Sequence, residues 1–192
     1  MINSRYPIYL ASNSPRRKDM LKMLGVDFKT ISVNLDEIFI DKESPVSTVK
    51  RLALEKLELA ARKVNDGILI TADTIVVVDN LRIGKPKNKK DAEQILTSLS
   101  GRSHFVYTGF SIYNLNRKKQ VTDYSKTKVT FRDLTKAEIK EYIKSGSPMD
   151  KAGAYGIQDD YGSVFVEKIS GCYYNVLGFP ASKIYSTLKL LS

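Results

Sequence analysis

Ile68-Leu69-Ile70-Thr71-Ala72-Asp73-Thr74-Ile75-Val76-Val77-Val78 decides the fold. Its β-branched residues lose side-chain freedom in a helix and pack well on a pleated surface, so the run predicts a buried strand. Asp79-Asn80 should turn it back toward Ile83. Upstream, Ser44-Pro45 and Ser47 offer alternative starts for a helix reaching about Val64, before Asn65-Asp66-Gly67. Ile8-Tyr9-Leu10-Ala11 reads as a short buried strand feeding a helix from Pro15 to Leu24. Met20, Leu21 and Leu24 form that helix's apolar stripe, and Gly25 suits its C′ position. Phe28 to Val33 reads as a further strand, followed by an acidic stretch with Asp36, Glu37 and Asp41.

Downstream, a helix from Asp91 to Leu99 carries Ala92, Ile95, Leu96 and Leu99 on one stripe and stops at Gly101. Ser103 to Leu115 and Gln120 to Asp133 form a long hairpin pattern. Thr135 and Glu138 make a capping box for a helix ending near Ser145-Gly146. Strands are expected at Val164 to Ile169 and Tyr173 to Leu177, with a closing helix from about Pro180. Helices and strands alternate throughout. The predicted class is α/β with a mixed sheet.

The chain has 192 residues, which fits one domain or two small lobes and is long enough to bury a real core. No apolar run approaches the roughly 20 residues of a membrane-spanning helix. The N-terminal stretch lacks the apolar core of a signal peptide. A single cysteine, Cys172, excludes an internal disulfide, and with one histidine, His104, a zinc site is not expected. A cytoplasmic location follows as the expectation. The net charge of +10 points to an anionic partner. Nucleic acid is one candidate, but the cations are dispersed. The densest runs, Lys85 to Lys90 and Arg117 to Lys119, lack the interleaved aromatics of a single-strand platform.

Four places could carry chemistry. In Leu10-Ala11-Ser12-Asn13-Ser14-Pro15-Arg16-Arg17, Ser14 fits an N-cap and Pro15 the first helical position. Arg16 and Arg17 then lie at the positive end of the helix dipole, where acidic residues are favoured. Either an anion such as phosphate completes the site, or both arginines lie outward in solvent. Asp73 interrupts an apolar strand, and a buried carboxylate needs a cation, a metal or hydrogen-bond donors. Its alternative is the cap of a turn between two short strands. Lys56 projects from the apolar face made by Val49, Leu52, Ala53, Ala60 and Val64, so it snorkels to the edge or reaches a phosphate. Asp150-Lys151-Ala152-Gly153-Ala154-Tyr155-Gly156-Ile157-Gln158 combines small residues with Lys151, Tyr155 and Gln158 for contacts. A Gln amide both donates and accepts, which suits a nucleobase edge; a structural Gly-rich turn is the alternative. Lys85, in Gly84-Lys85-Pro86, is a phosphate ligand or an exposed loop lysine. His104 reads as a core or edge residue, and Cys172 has no assigned role. An anion site with several cations and an awkward carboxylate fits metal-assisted phosphoryl chemistry.

Leu10-Ala11-Ser12-x-Ser14-Pro15-Arg16-Arg17, Ala72-Asp73-Thr74, Gly84-Lys85-Pro86, Leu99-Ser100-Gly101, the 150–158 run and Gly178-x-Pro180 occur together and in order. In these motifs the chain resembles, nearly end to end, the Maf family of nucleotide pyrophosphatases, also described as septum-formation inhibitor proteins. The resemblance implies a single domain over 1–192 related to the inosine triphosphate pyrophosphatases. It would be an elongated mixed sheet flanked by helices, with two lobes around a central cleft, assembled as a homodimer. The 150–158 run looks like the branch acting on dTTP and UTP.

Carried over by position, Asp73 would be the general base or metal-linked carboxylate. Arg16, Thr74 and Gln158 would bear on substrate choice, and Ser12, Arg17, Lys56 and Lys85 would surround the triphosphate. Glu37 would join Asp73 in holding Mg²⁺ or Mn²⁺. Asn13, Cys172 and Phe179 stand where Gly, Ser and Leu are commoner; Asn tolerates a left-handed backbone best among non-Gly residues. The implied reaction cleaves the α–β phosphoanhydride to give the monophosphate and pyrophosphate. It would remove non-canonical or excess pyrimidine nucleotides. Neither stable nucleic-acid binding nor membrane contact is implied. The competing expectation is a non-catalytic basic protein that binds nucleic acid or regulates division.

Overall fold

The computed structural model describes Ile2 and residues 4–192, with residue 160 described by its backbone alone. The N-terminal part runs β1 (Ile8–Leu10), α1 (Pro15–Met23), β2 (Lys29–Thr30), α2 (Pro45–Ala61) and β3 (Ile68–Val78). Next come β4 (Leu81–Ile83), α3 (Lys89–Leu99), β5 (Ser103–Asn114), β6 (Lys119–Phe131) and α4 (Lys136–Lys144). Two 3₁₀ turns, Ser147–Asp150 and Ala152–Ala154, lead to α5 (Asp160–Ser163), β7 (Val166–Ser170), α6 (Tyr173–Val176) and α7 (Ala181–Leu191). Among the described residues seven strands form one open sheet in the order β2-β1-β3-β5-β6-β7, with β4 paired to β3. β1 is parallel to β2 and β3, whereas β4 pairs antiparallel with β3 and β7 with β6. The class is α/β with a mixed sheet.

β3 is apolar along its length because both of its faces are covered. Ile68, Ile70 and Ala72 enter one cluster with Leu21, Phe110, Phe179, Ile184 and Leu188. Leu69, on the other face, joins Ala11, Leu57 and Ala60 of a second cluster. Asp79 and Asn80 both take positive φ, 47° and 63°, and Val78 pairs with Leu81. That is the two-residue hairpin turn whose twist suits the strands. The Thr135–Glu138 capping box forms in full.

Two expectations are corrected. Phe28 to Val33 contributes only the exposed pair Lys29–Thr30 as a strand, paired to the three-residue β1 with Tyr9 opposite Lys29 and Leu10 opposite Thr30. Tyr173 to Leu177 is not a strand: α6 turns Asn175 inward, where its Nδ2 donates to the Val106 carbonyl and to Thr127 Oγ1, each at 3.0 Å. Ser14 and Pro15 take the expected N-cap and first helical positions of α1, although the Ser14 side chain makes no capping bond. Boundaries move elsewhere: α2 starts at Pro45 with Ser44 as its cap and ends before Val64, α3 begins at Lys89, and β7 begins at Val166 rather than Val164.

The chain divides into two compact units. The first comprises Met1–Asp73, Thr108–Ser125 and Gly178–Ser192; the second comprises Thr74–Tyr107 and Lys126–Leu177. The two clusters around β3 are the core of the first. The second is held by an aromatic group in which Phe131 meets His104, Tyr155 and Phe165 edge-on, and Tyr142 meets Phe165. Each such pair adds roughly 0.5–1.5 kcal/mol beyond its buried area.

Candidate active site

Alternation along β3 builds the first part of the site. Thr71 and Asp73 are two residues apart, so they point to the same face, the one covered by α2. Thr71 Oγ1 donates to the Ala53 carbonyl of α2 at 2.7 Å. Lys56 follows Ala53 by three positions on the same flank of α2, and its Nζ donates to Asp73 Oδ1. The same Nζ donates to Glu37 Oε1 at 2.8 Å. α2 lies close enough for this because β5 presents Gly109 to it: a Cβ there would stand 2.2 Å from the Val49 carbonyl oxygen. Lys56 thus does not snorkel to solvent. It joins two carboxylates.

Asp73 is 2% exposed, and its Oδ2 has no hydrogen-bond partner. It is not the cap of a turn, since β3 continues for five residues beyond it. Burial raises the Asp73 carboxyl above its ordinary pKa, Glu37 adds to the rise, and Lys56 and Arg17 oppose it. Glu37 comes from a segment without regular structure, which Arg51 holds: Nη2 donates to the Ile38 carbonyl at 2.9 Å, and the guanidinium pairs with Glu43 and Glu55. Arg51 is not among the expected site residues. The signal for it was modest, an Arg51–Glu55 pair at helical spacing.

The arginine pair separates into two roles. Arg17 Nε donates to the Gly178 carbonyl and Nη1 to the Ala72 carbonyl, each at 2.8 Å, and Nη1 also reaches Ser12 Oγ at 3.4 Å. It therefore ties the start of α1 to the residue before Asp73 and to the turn that precedes α7. Burial lowers the Arg17 pKa, and the Asp73 charge opposes that shift. Ser12 is buried, and its Oγ also accepts from the Ser14 N–H at 3.2 Å. Arg16 is half-buried. The first unit thus brings together Ser12, Arg17, Lys56, Asp73 and Glu37, with Arg16 beside Arg17 in the chain.

Thr74, Lys85 and Gln158 belong to the second unit. Thr74 is half-buried on β3; Lys85 and Gln158 are exposed. The Gly153 N–H donates to the Gly84 carbonyl at 3.0 Å, so the Gly-Lys-Pro turn and the Gly-rich segment are joined. Gly153 has φ +74°, and a Cβ there would come within 2.7 Å of Val76 Cγ2. Within 150–158 two expected contact residues turn inward. Tyr155 is 5% exposed and its hydroxyl meets His104 Nε2 at 2.8 Å; Lys151 is 7% exposed and pairs with Asp150 and Asp159. Burial takes the His104 pKa down to about 4, which makes it a neutral core residue, as expected. Asp159, unmarked by any sequence signal, accepts from Gln158, Tyr142 and Ser147 and pairs with the Lys151 ammonium. It also lines a cavity of about 380 Å³ with Tyr142, Ser145, Ser147 and Tyr161.

Among the described residues no three His, Cys, Asp or Glu side chains converge as a ready metal cage. Asp73 and Glu37 offer two hard oxygen donors, and Asp73 Oδ2 is a buried acceptor in want of a partner. That set suits a cation which completes its shell with water and substrate phosphate oxygens.

The family described as Maf-like protein matches residues 7–191. A protein of Dictyoglomus thermophilum named dTTP/UTP pyrophosphatase is 48% identical over 96% of this chain and 95% of its own length. Proteins of the same name from Syntrophomonas wolfei and Clostridioides difficile are 47% and 46% identical. Those alignments cover 93% and 95% of this chain, and 94% and 93% of the respective relatives.

Proposed function

The chain belongs to the Maf-like family, and we propose that it hydrolyses dTTP and UTP to the nucleoside monophosphate and pyrophosphate. The observation that carries the chemistry is Asp73: a buried carboxylate with one oxygen held by Lys56 and the other unpartnered. Oδ2 accepts a proton from water as the water oxygen bonds to the α-phosphorus. The α–β bridging bond breaks in line, and its electron pair leaves with pyrophosphate. A raised pKa suits a group that must take a proton near neutral pH.

Lys56 holds Oδ1 so that Oδ2 keeps one orientation. Arg17 fixes the backbone on either side of the reacting centre through Ala72 and Gly178. Arg16 and Lys85, with Arg17 and Lys56, offset charge on the phosphates and on the departing pyrophosphate. Thr74 and Gln158 read the pyrimidine, and Ser12 completes the phosphate pocket. Mg²⁺ or Mn²⁺ would be held by Asp73 and Glu37, and when bound supplies charge neutralisation at the phosphate oxygens. We place the enzyme in the cytoplasm as a homodimer, where it removes unwanted pyrimidine nucleotides without retaining nucleic acid. Among the described residues no helix is long and apolar enough to cross a membrane.

The deciding experiment incubates the purified protein with a panel of nucleoside triphosphates and Mg²⁺ and separates the products. Pyrophosphate from dTTP and UTP is expected, and Asp73→Asn should lose nearly all turnover while remaining folded. Release only from a purine or modified nucleotide overturns the substrate assignment. Near-normal turnover by the variant removes Asp73 as base. No pyrophosphate from any nucleotide returns the protein to the binding class.

A further inference from the structure

We propose that Asp159 is a specificity-positioning residue, which locks the Gln158 amide so that the site favours uracil and thymine over cytosine. The proposal rests on Gln158 reading the base. Gln158 Nε2 donates to Asp159 Oδ1 at 3.0 Å. A carboxylate only accepts, so the amide nitrogen must face it and Oε1 must lie on the other branch. Asp159 cannot rotate to release the amide. Its Oδ2 accepts from the Tyr142 hydroxyl at 3.0 Å and from Ser147 Oγ, and the Lys151 ammonium stands 3.2 Å away. The fit is tight as well: a Cβ at Gly156 would lie 2.5 Å from Asp159 Oδ2 and 2.7 Å from Lys151 Cε.

The orientation matters because uracil and cytosine present opposite patterns. Uracil and thymine offer an N3–H donor beside a carbonyl acceptor; cytosine offers an N3 acceptor beside an amino donor. An amide presenting Oε1 and its second N–H in fixed order matches the first pair. It meets the second with acceptor against acceptor and donor against donor. A freely flipping glutamine would accept both bases equally well. Asp159 therefore supplies the discrimination that Gln158 alone lacks.

The test measures kcat/KM for UTP and CTP in the wild type and four variants, with thermal melting of each. Asp159→Ala removes the lock, and the UTP-over-CTP ratio should fall about tenfold or more, the scale of one misplaced hydrogen bond. Asp159→Asn makes a sharper demand. Its carbonyl oxygen must stay with the Tyr142, Ser147 and Lys151 donors, which turns its NH₂ toward Gln158 and reverses the Gln158 amide. Preference should then move toward CTP, chiefly through KM, an effect that loss of stability does not produce. Tyr142→Phe removes one of the groups that hold Oδ2, so it should lower the melting temperature and reduce the ratio by less than Asp159→Ala does. Gln158→Ala distinguishes the two levels of the argument. If it abolishes the UTP preference while both Asp159 variants keep it, the positioning role is wrong and the base-reading role stands. If Gln158→Ala leaves the preference intact, or the wild type has none, base reading by Gln158 fails and the proposal fails with it.

Discussion

Asp73 is expensive as a residue and useful for the same reason. Its folded pKa lies above the ordinary aspartate value because burial penalises the charge more than Lys56 and Arg17 relieve it. A carboxyl with a raised folded pKa contributes stability that is fully present below its unfolded pKa and lost as pH rises through the folded one. Asp73→Asn should therefore melt no lower than the wild type at about pH 8. Its advantage should shrink as the solution is acidified toward the unfolded pKa. A melting temperature several degrees below the wild type would make Asp73 a structural residue instead. Lys56→Met tests the same coupling from the cationic side. It removes the cation that lowers the Asp73 pKa and leaves Glu37, which raises it. The acidic limb of the kcat/KM profile for UTP should shift to higher pH, and kcat should fall by roughly 10²-fold as the orientation of Oδ2 is lost. An unchanged limb would mean that Asp73 is not the titrating base.

At the scale of elements, the site depends on how closely α2 lies on β3 and β5. Gly109 permits that approach, and Thr71 pins α2 through the Ala53 carbonyl. Gly109→Ala would force its methyl against the Val49 backbone, which has no rotamer to yield. Overpacking of this kind costs roughly 1–3 kcal/mol. Since α2 carries Lys56, activity should fall further than melting temperature alone explains; equal loss in both would show that α2 does not set the site. The same elements show why some of the molecule was legible in sequence. β3, the Asp79-Asn80 turn, the capping box at Thr135 and the Pro15 and Pro45 helix starts follow from local sterics and local hydrogen bonds. Asp73 stood out because a charge in an apolar strand has few explanations. Tyr173 to Leu177 reads as a strand because two tyrosines favour one locally, whereas the buried amide of Asn175 requires a turn of helix that only tertiary contacts reveal. The Arg17 bonds to Ala72 and Gly178 and the Asp159 clamp on Gln158 were invisible for a related reason. Backbone carbonyls leave no mark in the sequence, and an exposed-looking aspartate gives no sign of three inward donors.

At the scale of the whole molecule, the surplus of cations has to be reconciled with a small anionic substrate. The 31 lysines and arginines against 21 acidic residues are spread along the whole sequence. Several of the best-placed cations are already engaged: Lys56 with two carboxylates, Arg51 with Glu43 and Glu55, Lys151 with Asp150 and Asp159, and Lys183 with Asp123. A diffuse positive field would raise the encounter rate of a triphosphate without gripping a polyanion at many phosphates at once. The two consequences separate experimentally. Raising NaCl from about 0.05 M to about 0.5 M shortens the Debye length from roughly 14 Å to roughly 4 Å, so kcat/KM for UTP should drop several-fold. Its kcat should hold nearly constant, because Lys56 and Asp73 meet where salt screens poorly. Over the same range the protein should pass through immobilised DNA at about 0.15 M salt without retention, as dispersed charge displaces few counterions. A kcat that falls in parallel with kcat/KM would place the salt-sensitive charges inside the site. Retention on DNA with a steep salt slope would instead mean that the cations form a contiguous surface, and that the positive field serves a polymer and not the triphosphate.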